Sequence, residues 1–202
     1  MSKVKICGLK SLDDVSAVNE FLPDYVGFVF AESTRQITPE IAKCLRDQLD
    51  DRIEVIGVFV NQKVNFIVDL AQAGIIDHIQ LHGDEDSLFI ADLRRSFEGK
   101  IIKAFGVDDT VPDTIAEVDF MLFDSASLQR GGSGTSFDWS LLQNYAGQPY
   151  FLAGGLDSTT VNQALDQLVP YCVDVSSGVE TRGIKDRHKI KEFIAAVRKE
   201  AR

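Results

Sequence analysis

The sequence has little cysteine and little histidine, which excludes several kinds of site. Its 202 residues contain three cysteines, Cys7, Cys44 and Cys172, and no two of them have the spacing of a metal site or a disulfide framework. Cysteine used in this way favours a reducing compartment. Its histidines and acids are not clustered at the ends of apolar runs, which argues against a metal-dependent epimerase of pentose phosphates.

Long apolar segments and runs of basic residues are also missing. No stretch approaches the length of a membrane span, and residues 1–5 lead into a strand too short for a signal-peptide core, so we expect a cytoplasmic protein. The formal charge of −10, without a basic run, argues against a nucleic-acid partner. A small anion can still bind, because local donors such as helix N-termini matter more than the total charge.

What the sequence does contain is a regular alternation of apolar and amphipathic segments. Eight short apolar runs without polar alternation are typical of parallel strands buried on both faces. These runs span residues 4–7, 25–30, 53–60, 78–82, 101–105, 120–124, 150–153 and 172–175.

The segments between the runs carry helix signals. Ser11 can cap a helix with Asp14 reaching back, and Thr38 precedes a proline suited to a first helical turn. Helices are also predicted over residues 64–73, 87–97, 109–117 and 187–202. Eight strand–helix units without a break in composition predict a single (β/α)8 TIM barrel over residues 1–202. A doubly wound open sheet is the alternative, and the count of eight favours the barrel.

Two reactive side chains end predicted strands. Cys7 closes the first run and is followed by Gly8, and Asp124 closes the sixth. Because barrel active sites are built from strand ends and the loops after them, we expect these side chains to face one substrate as a base and an acid. The alternative for Cys7 is an inert buried thiol, which is what most cysteines are.

Glycines follow the seventh and eighth runs, where barrels usually bind phosphate. Gly154 and Gly155 allow a close backbone approach, and a helix starting near Ser177 and Gly178 would point N–H groups at an anion. Two ordinary tight turns are the alternative. The glycine-rich segment 129–136 after the sixth run suits either a mobile lid or a solvent loop.

Two further polar side chains follow strands. Arg35, after the second run, suits a carboxylate, although a lone arginine is more often a solvated surface residue. His82, after the fourth, can carry a proton, although a structural or substrate-orienting role is more frequent.

Five strings in the chain together resemble the phosphoribosylanthranilate isomerases, barrel enzymes of the tryptophan pathway. The resemblance runs in order from residue 3 to about residue 187. The strings are KICGL at 5–9, QLHGDE at 80–85, GGSG at 131–134 with FDW at 137–139, AGGL at 153–156 and DVSSGVE at 174–180.

The resemblance implies an Amadori rearrangement of a phosphorylated aminoaldose, N-(5-phosphoribosyl)anthranilate, with no cofactor and no metal. It implies that Cys7 is the general base at C2, that Asp124 protonates the ring oxygen, and that Arg35 orients the anthranilate. The chain departs from the family pattern at Thr34, where proline is common, and at Arg182, which precedes Gly183. A monomer and a homodimer both remain compatible with the sequence.

The proposed roles require shifted pKa values. A free thiol titrates near ~8.5 and a free carboxyl near ~4, so we expect the pKa of Cys7 to be lowered and that of Asp124 to be raised. Two alternatives are weaker. The sister isomerase of histidine synthesis uses a carboxylate pair where this chain has Cys7, and a binding module without catalysis would need neither Cys7 nor Asp124.

Overall fold

The computed structural model describes residues 1–112, 114–125 and 137–199. Eight parallel strands pair in sequence order, and the last pairs with the first, so the predicted barrel is confirmed. The strands are β1 (Lys3–Cys7), β2 (Tyr25–Val29), β3 (Glu54–Phe59), β4 (His78–Leu81), β5 (Ile101–Val107), β6 (Phe120–Ser125), β7 (Tyr150–Leu152) and β8 (Cys172–Val175).

Helices cover the outside of the barrel, and two of the predicted caps are present. Ser11 and Asp14 form a reciprocal capping box, and the Thr38 side chain accepts from the Ile41 amide ahead of the helix that starts at Pro39. The helices are α1 (Leu12–Phe21), α2 (Pro39–Arg46), α3 (Val64–Gln72), α4 (Ser87–Arg94), α5 (Thr160–Leu165) and α6 (Arg187–Lys199). None of the helices in the described part of the chain is long and apolar enough to cross a membrane.

The smaller elements lie late in the chain. Two short 3-10 helices span Trp139–Leu142 and Ser177–Val179. After the second of these, β9 (Glu180–Thr181) and β10 (Ile184–Lys185) form an antiparallel hairpin beside the mouth of the barrel. Arg182 and Gly183 form its turn, and both have positive φ angles, of 55° and 77°.

The predicted helix over residues 109–117 is wrong. Its described residues, 109–112 and 114–117, form turns and irregular backbone. Pro112 lacks an N–H group, and the Gln148 amide takes the backbone groups that a helix would use. It accepts from the Ile115 N–H at 3.1 Å and donates to the carbonyls of Ile115 at 2.6 Å and Val118 at 2.8 Å. Within the described ranges, α-helices therefore follow six of the eight strands.

An aromatic cluster fills the amino-terminal end of the barrel. Tyr25, Phe120, Phe151 and Tyr171 pack together there in stacked, tilted and edge-to-face pairs, and the ring centroids of Phe120 and Tyr171 lie 4.4 Å apart. The Tyr25 hydroxyl lies 2.9 Å from that of Tyr171 and accepts a hydrogen bond from Lys3. This end of the barrel is packed, and the cavity lies at the carboxyl ends of the strands.

Candidate active site

A cavity of about 600 Å³ opens at the carboxyl ends of the strands. Seven of the eight residues predicted for the site line it: Cys7, Arg35, His82, Asp124, Gly154, Gly155 and Ser177. The eighth, Gly178, packs behind the lining against the carbonyl of Leu156. Closing the barrel thus gathers side chains that the sequence spreads over about 170 positions.

Cys7 is the last residue of β1, and its thiol faces the cavity. Its partner in the β2 register is Gly27, where an added Cβ would lie 2.6 Å from Cys7 Sγ, so the glycine makes room for the sulfur. Burial raises the pKa of the Cys7 thiol, and the positive charge of Lys5 opposes that rise. The expectation of a lowered thiol pKa is therefore wrong, because the loss of solvent outweighs the nearby cations.

Asp124 lies near the end of β6, and its pKa is raised to about 6. Burial is the main cause, the negative charge of Asp174 adds to it, and the amide N–H of Ser125, which donates to Oδ1 at 2.8 Å, opposes it. The expected direction is confirmed. Near neutral pH, a minority of these carboxyl groups still hold a proton that they can donate.

Lys5 links the two sides of the cavity. Its ammonium group, fully buried inside the barrel, donates to Asp174 Oδ2 at 2.7 Å and to Gln80 Oε1 at 2.9 Å. Because Gln80 thus accepts through its oxygen, its amide nitrogen donates to His82 Nδ1 at 2.8 Å. In the neutral imidazole the proton then sits on Nε2, which lies 3.8 Å from Asp124 Oδ2.

Lys5, Asp174 and Gln80 were not among the residues predicted for the site. The available signal was a charged or amide side chain inside an otherwise apolar strand: Lys5 lies two residues before Cys7, and Gln80 lies two residues before His82. Such a residue points into the barrel together with the strand-end residue, because side chains alternate along a strand.

Arg35 lies after β2 and is held by an acid from β9. Its Nε and Nη2 donate to the two carboxylate oxygens of Glu180 at 2.7 and 2.8 Å, and Lys185 donates to Oε1 at 2.8 Å. Burial opposes the ionised form, but Arg35 and Lys185 outweigh it and lower the pKa of Glu180 to about 2. The Arg35 stem lies over Gly8, where a Cβ would meet Cδ at 2.5 Å.

The loops after β7 and β8 meet at their backbones. Gly154 and Gly155 have positive φ angles of 86° and 66°, a conformation that side chains other than glycine's rarely allow. Their amide groups donate no hydrogen bond to another residue of the described ranges. At Gly178, an added Cβ would overlap the carbonyl oxygen of Leu156, so only glycine allows these two loops to touch.

Two further points concern the glycine-rich segment and metal binding. The glycine-rich segment 129–136, predicted as a lid or a solvent loop, lies outside the described residues. Among the described residues, no group of three histidine, cysteine or acidic side chains is placed to hold a metal ion.

The closed barrel and the polar cavity at its carboxyl end define a (β/α)8-barrel enzyme. Residues 4–196 match the family described as N-(5'phosphoribosyl)anthranilate (PRA) isomerase, and the chain belongs to this family. It is 48% identical over 199 residues to the N-(5'-phosphoribosyl)anthranilate isomerase of Endomicrobium trichonymphae, covering 98% of this chain and 99% of the relative.

Solved structures agree with the family. The phosphoribosyl anthranilate isomerase of Thermotoga maritima superimposes with a TM-score of 0.86 at 35% identity, covering 98% of this chain and 100% of that one. Another, 33% identical with a TM-score of 0.83 and the same coverage, was solved with reduced 1-(o-carboxyphenylamino)-1-deoxyribulose 5-phosphate. The chain is thus an isomerase of tryptophan biosynthesis that converts N-(5'-phosphoribosyl)anthranilate to 1-(2-carboxyphenylamino)-1-deoxyribulose 5-phosphate.

Proposed function

We propose that the chain performs this rearrangement by general acid–base catalysis, with Cys7 as the base and Asp124 as the acid. The observation that carries the proposal is that a thiol and a carboxyl group with a raised pKa line one cavity from two strands that are not neighbours, β1 and β6. A substrate between them can lose a proton on one side and gain one on the other.

The chemistry balances without an external oxidant. Asp124 protonates the ring oxygen of the ribose, the C1–O bond breaks, and the anthranilate nitrogen lone pair forms a C1=N iminium. The Cys7 thiolate then takes the C2 proton, and those bonding electrons form C1=C2 and neutralise the nitrogen. The resulting enol becomes the ketone when the C2 hydroxyl loses its proton and C1 gains one.

The productive enzyme form has a proton on Asp124 and none on Cys7. The pKa of Asp124 is about 6, and burial raises the pKa of the thiol above its ordinary range, so this form is the minor arrangement of a singly protonated pair. Its fraction stays constant between the two pKa values, since each gain of thiolate is matched by a loss of protonated Asp124.

Substrate binding uses the two sides of the same cavity. The phosphate binds to the amides of Gly154 and Gly155, which donate no hydrogen bond within the described residues, and to the loop at Ser177 and Gly178, whose glycines permit close approach. The anthranilate carboxylate binds to Arg35, and His82 presents Nε2 towards Asp124 and the sugar. The cavity volume, about 600 Å³, suits a ligand of this size.

Single substitutions test the two assignments. Cys7→Ala and Asp124→Asn should each abolish turnover of freshly generated phosphoribosylanthranilate, followed by the loss of its fluorescence, while inorganic phosphate still binds. Cys44→Ala is the matched control, because this thiol lies exposed on α2. Substantial turnover by Cys7→Ala would reject the base, and an unchanged rate in Asp124→Asn would reject the acid.

We also propose that the enzyme works in the cytoplasm. All three cysteines are free thiols, and Cys44 is exposed, so a reducing compartment would keep Cys7 in its reactive state. Fractionation of the native cell tests this, and recovery of the enzyme from an oxidising compartment would contradict it.

A further inference from the structure

Lys5 is a buried charge in a place where stability does not require one. Its side chain is fully buried in the barrel interior, two residues before Cys7 on β1 and on the same inward face. Removing an ammonium and a carboxylate from water costs so much that a buried ion pair often stabilises a fold no more than apolar side chains of similar volume. The Lys5–Asp174 pair therefore points to a role other than packing.

Two acceptors fix the position of the Lys5 ammonium group and leave one N–H donor. Asp174 and Gln80 take two of the three N–H donors, at 2.7 and 2.9 Å. The Cys7 side chain lies on the same inward face of β1, two residues beyond Lys5, and the positive charge of Lys5 favours its thiolate. Attraction to Asp174 and Cys7 outweighs burial and raises the pKa of Lys5, so the group stays cationic.

Other charged groups also face Cys7. Asp174 approaches from β8 with a negative charge, and Lys185 and Arg35 approach from β10 and the loop after β2. Lys185 and Arg35 share one counter-ion, Glu180, which bonds both of them directly. Asp124 faces the same cavity from β6. Among these groups, Lys5 is the cation whose charge most strongly opposes the effect of burial on the Cys7 thiol.

We propose that Lys5 is a positioning residue for Cys7: its buried ammonium group, held by Asp174 and Gln80, orients the sulfur and stabilises the thiolate. This inference rests on the proposed role of Cys7 as the base. A thiolate in a buried site without a partner would re-protonate, and the Lys5 ammonium group, held in place by Asp174 and Gln80, supplies a counter-charge that needs no rearrangement during the reaction.

The test measures the Cys7 thiol directly in a Cys44→Ala background, by the pH dependence of iodoacetamide alkylation followed by mass spectrometry. Lys5→Met should raise the pKa of Cys7 by at least one unit, and should lower kcat at pH 8 at least tenfold with a much smaller change in KM. Lys103→Met is the matched control. Lys103 is also a buried lysine paired with an acid, Glu85 at 3.1 Å, but it lies on β5, across the barrel from β1 and Cys7.

A second variant keeps the test decisive if Lys5→Met does not fold. Asp174→Asn retains Lys5 and removes the negative charge that raises the pKa of Cys7, so the thiol pKa should fall. An unchanged thiol pKa in either variant, or an equal shift in Lys103→Met, overturns the proposal.

The two proposals fail in different ways. Turnover that survives in Cys7→Ala, together with the expected pKa shifts, would reject Cys7 as the base while the coupling to Lys5 stood. Loss of turnover in Cys7→Ala, with no shift in the Lys5 variant, would reject Lys5 alone.

Discussion

Arg35 and Glu180 form a two-point ion pair that joins the loop after β2 to strand β9, with N–O distances of 2.7 and 2.8 Å. The pair uses Nε and Nη2 of the guanidinium, which leaves Nη1 for a further carboxylate. Because both bonds are charge-assisted and share one plane, Glu180 fixes the plane in which Arg35 presents its remaining donors.

Glu180→Gln should raise KM about 3- to 10-fold, because losing one charge-assisted bond is worth about 1 kcal/mol of orientation at Arg35. The effect on kcat should be smaller, since the exchange leaves Cys7 and Asp124 in place. Steady-state kinetics of the isomerase measure both parameters. A lower KM in the variant would show instead that Glu180 competes with the substrate for Arg35.

The same carboxylate should make the fold sensitive to acid. Its pKa falls from 4.5 to about 2 in the folded protein, so its stabilising contribution is complete above pH 4.5 and is lost as pH falls towards 2. The shift corresponds to on the order of 3 kcal/mol. Urea unfolding at pH 6 and pH 3 should therefore show a smaller loss of stability in Glu180→Gln than in the parent. Parallel losses in the two proteins would contradict this.

Asp124 should have the opposite effect on stability. Its pKa is raised from 3.8 to about 6, so the ionised carboxylate destabilises the folded state above pH 6 and has no effect below pH 3.8. Asp124→Asn should raise the free energy of unfolding at pH 8 by on the order of 3 kcal/mol, while it removes turnover. The gain should disappear at pH 3.5. A variant less stable than the parent at pH 8 would contradict the raised pKa.

The barrel was predictable from the sequence because its signal is local. Runs buried on both faces differ from amphipathic helices within a few residues, and each predicted strand overlaps the observed one, as β8 does over Cys172–Val175. The absence of a helix in the described residues of 109–117 was not predictable, because Gln148, whose side chain bonds the backbone there, lies 33 residues beyond Ile115.

The same distinction between local and long-range signals applies to the residues of the site. Cys7 and Asp124 end strands, so their position at the mouth follows from local pattern and fold class. The Lys5–Asp174 pair spans 169 residues and exists because β1 and β8 close the barrel. The raised thiol pKa was also beyond the sequence, since it depends on how much solvent the closed barrel removes.

The pH–rate profile should be flat above neutral pH, where a thiol of low pKa would make the rate fall. Because the pKa of Asp124 is about 6 and burial raises the pKa of Cys7, kcat/KM should stay constant from about pH 7 up to the alkaline range in which the buried thiol ionises. It should fall below pH 6, where both groups are protonated. Single-turnover rates across this range measure it. A fall in rate centred near pH 7 would show that the pKa of Cys7 is not raised.

Gly178→Ala should separate the loops after β7 and β8. The added Cβ would overlap the carbonyl oxygen of Leu156, so one of the loops must move away from the proposed phosphate site. We expect KM to rise at least tenfold and the free energy of unfolding to fall by about 1–3 kcal/mol. Gly74→Ala is the control: its φ of 67° imposes strain, but its Cβ meets nothing within 4 Å, so it should lose about 1 kcal/mol and keep its KM. An unchanged KM in Gly178→Ala would place the phosphate away from these two loops.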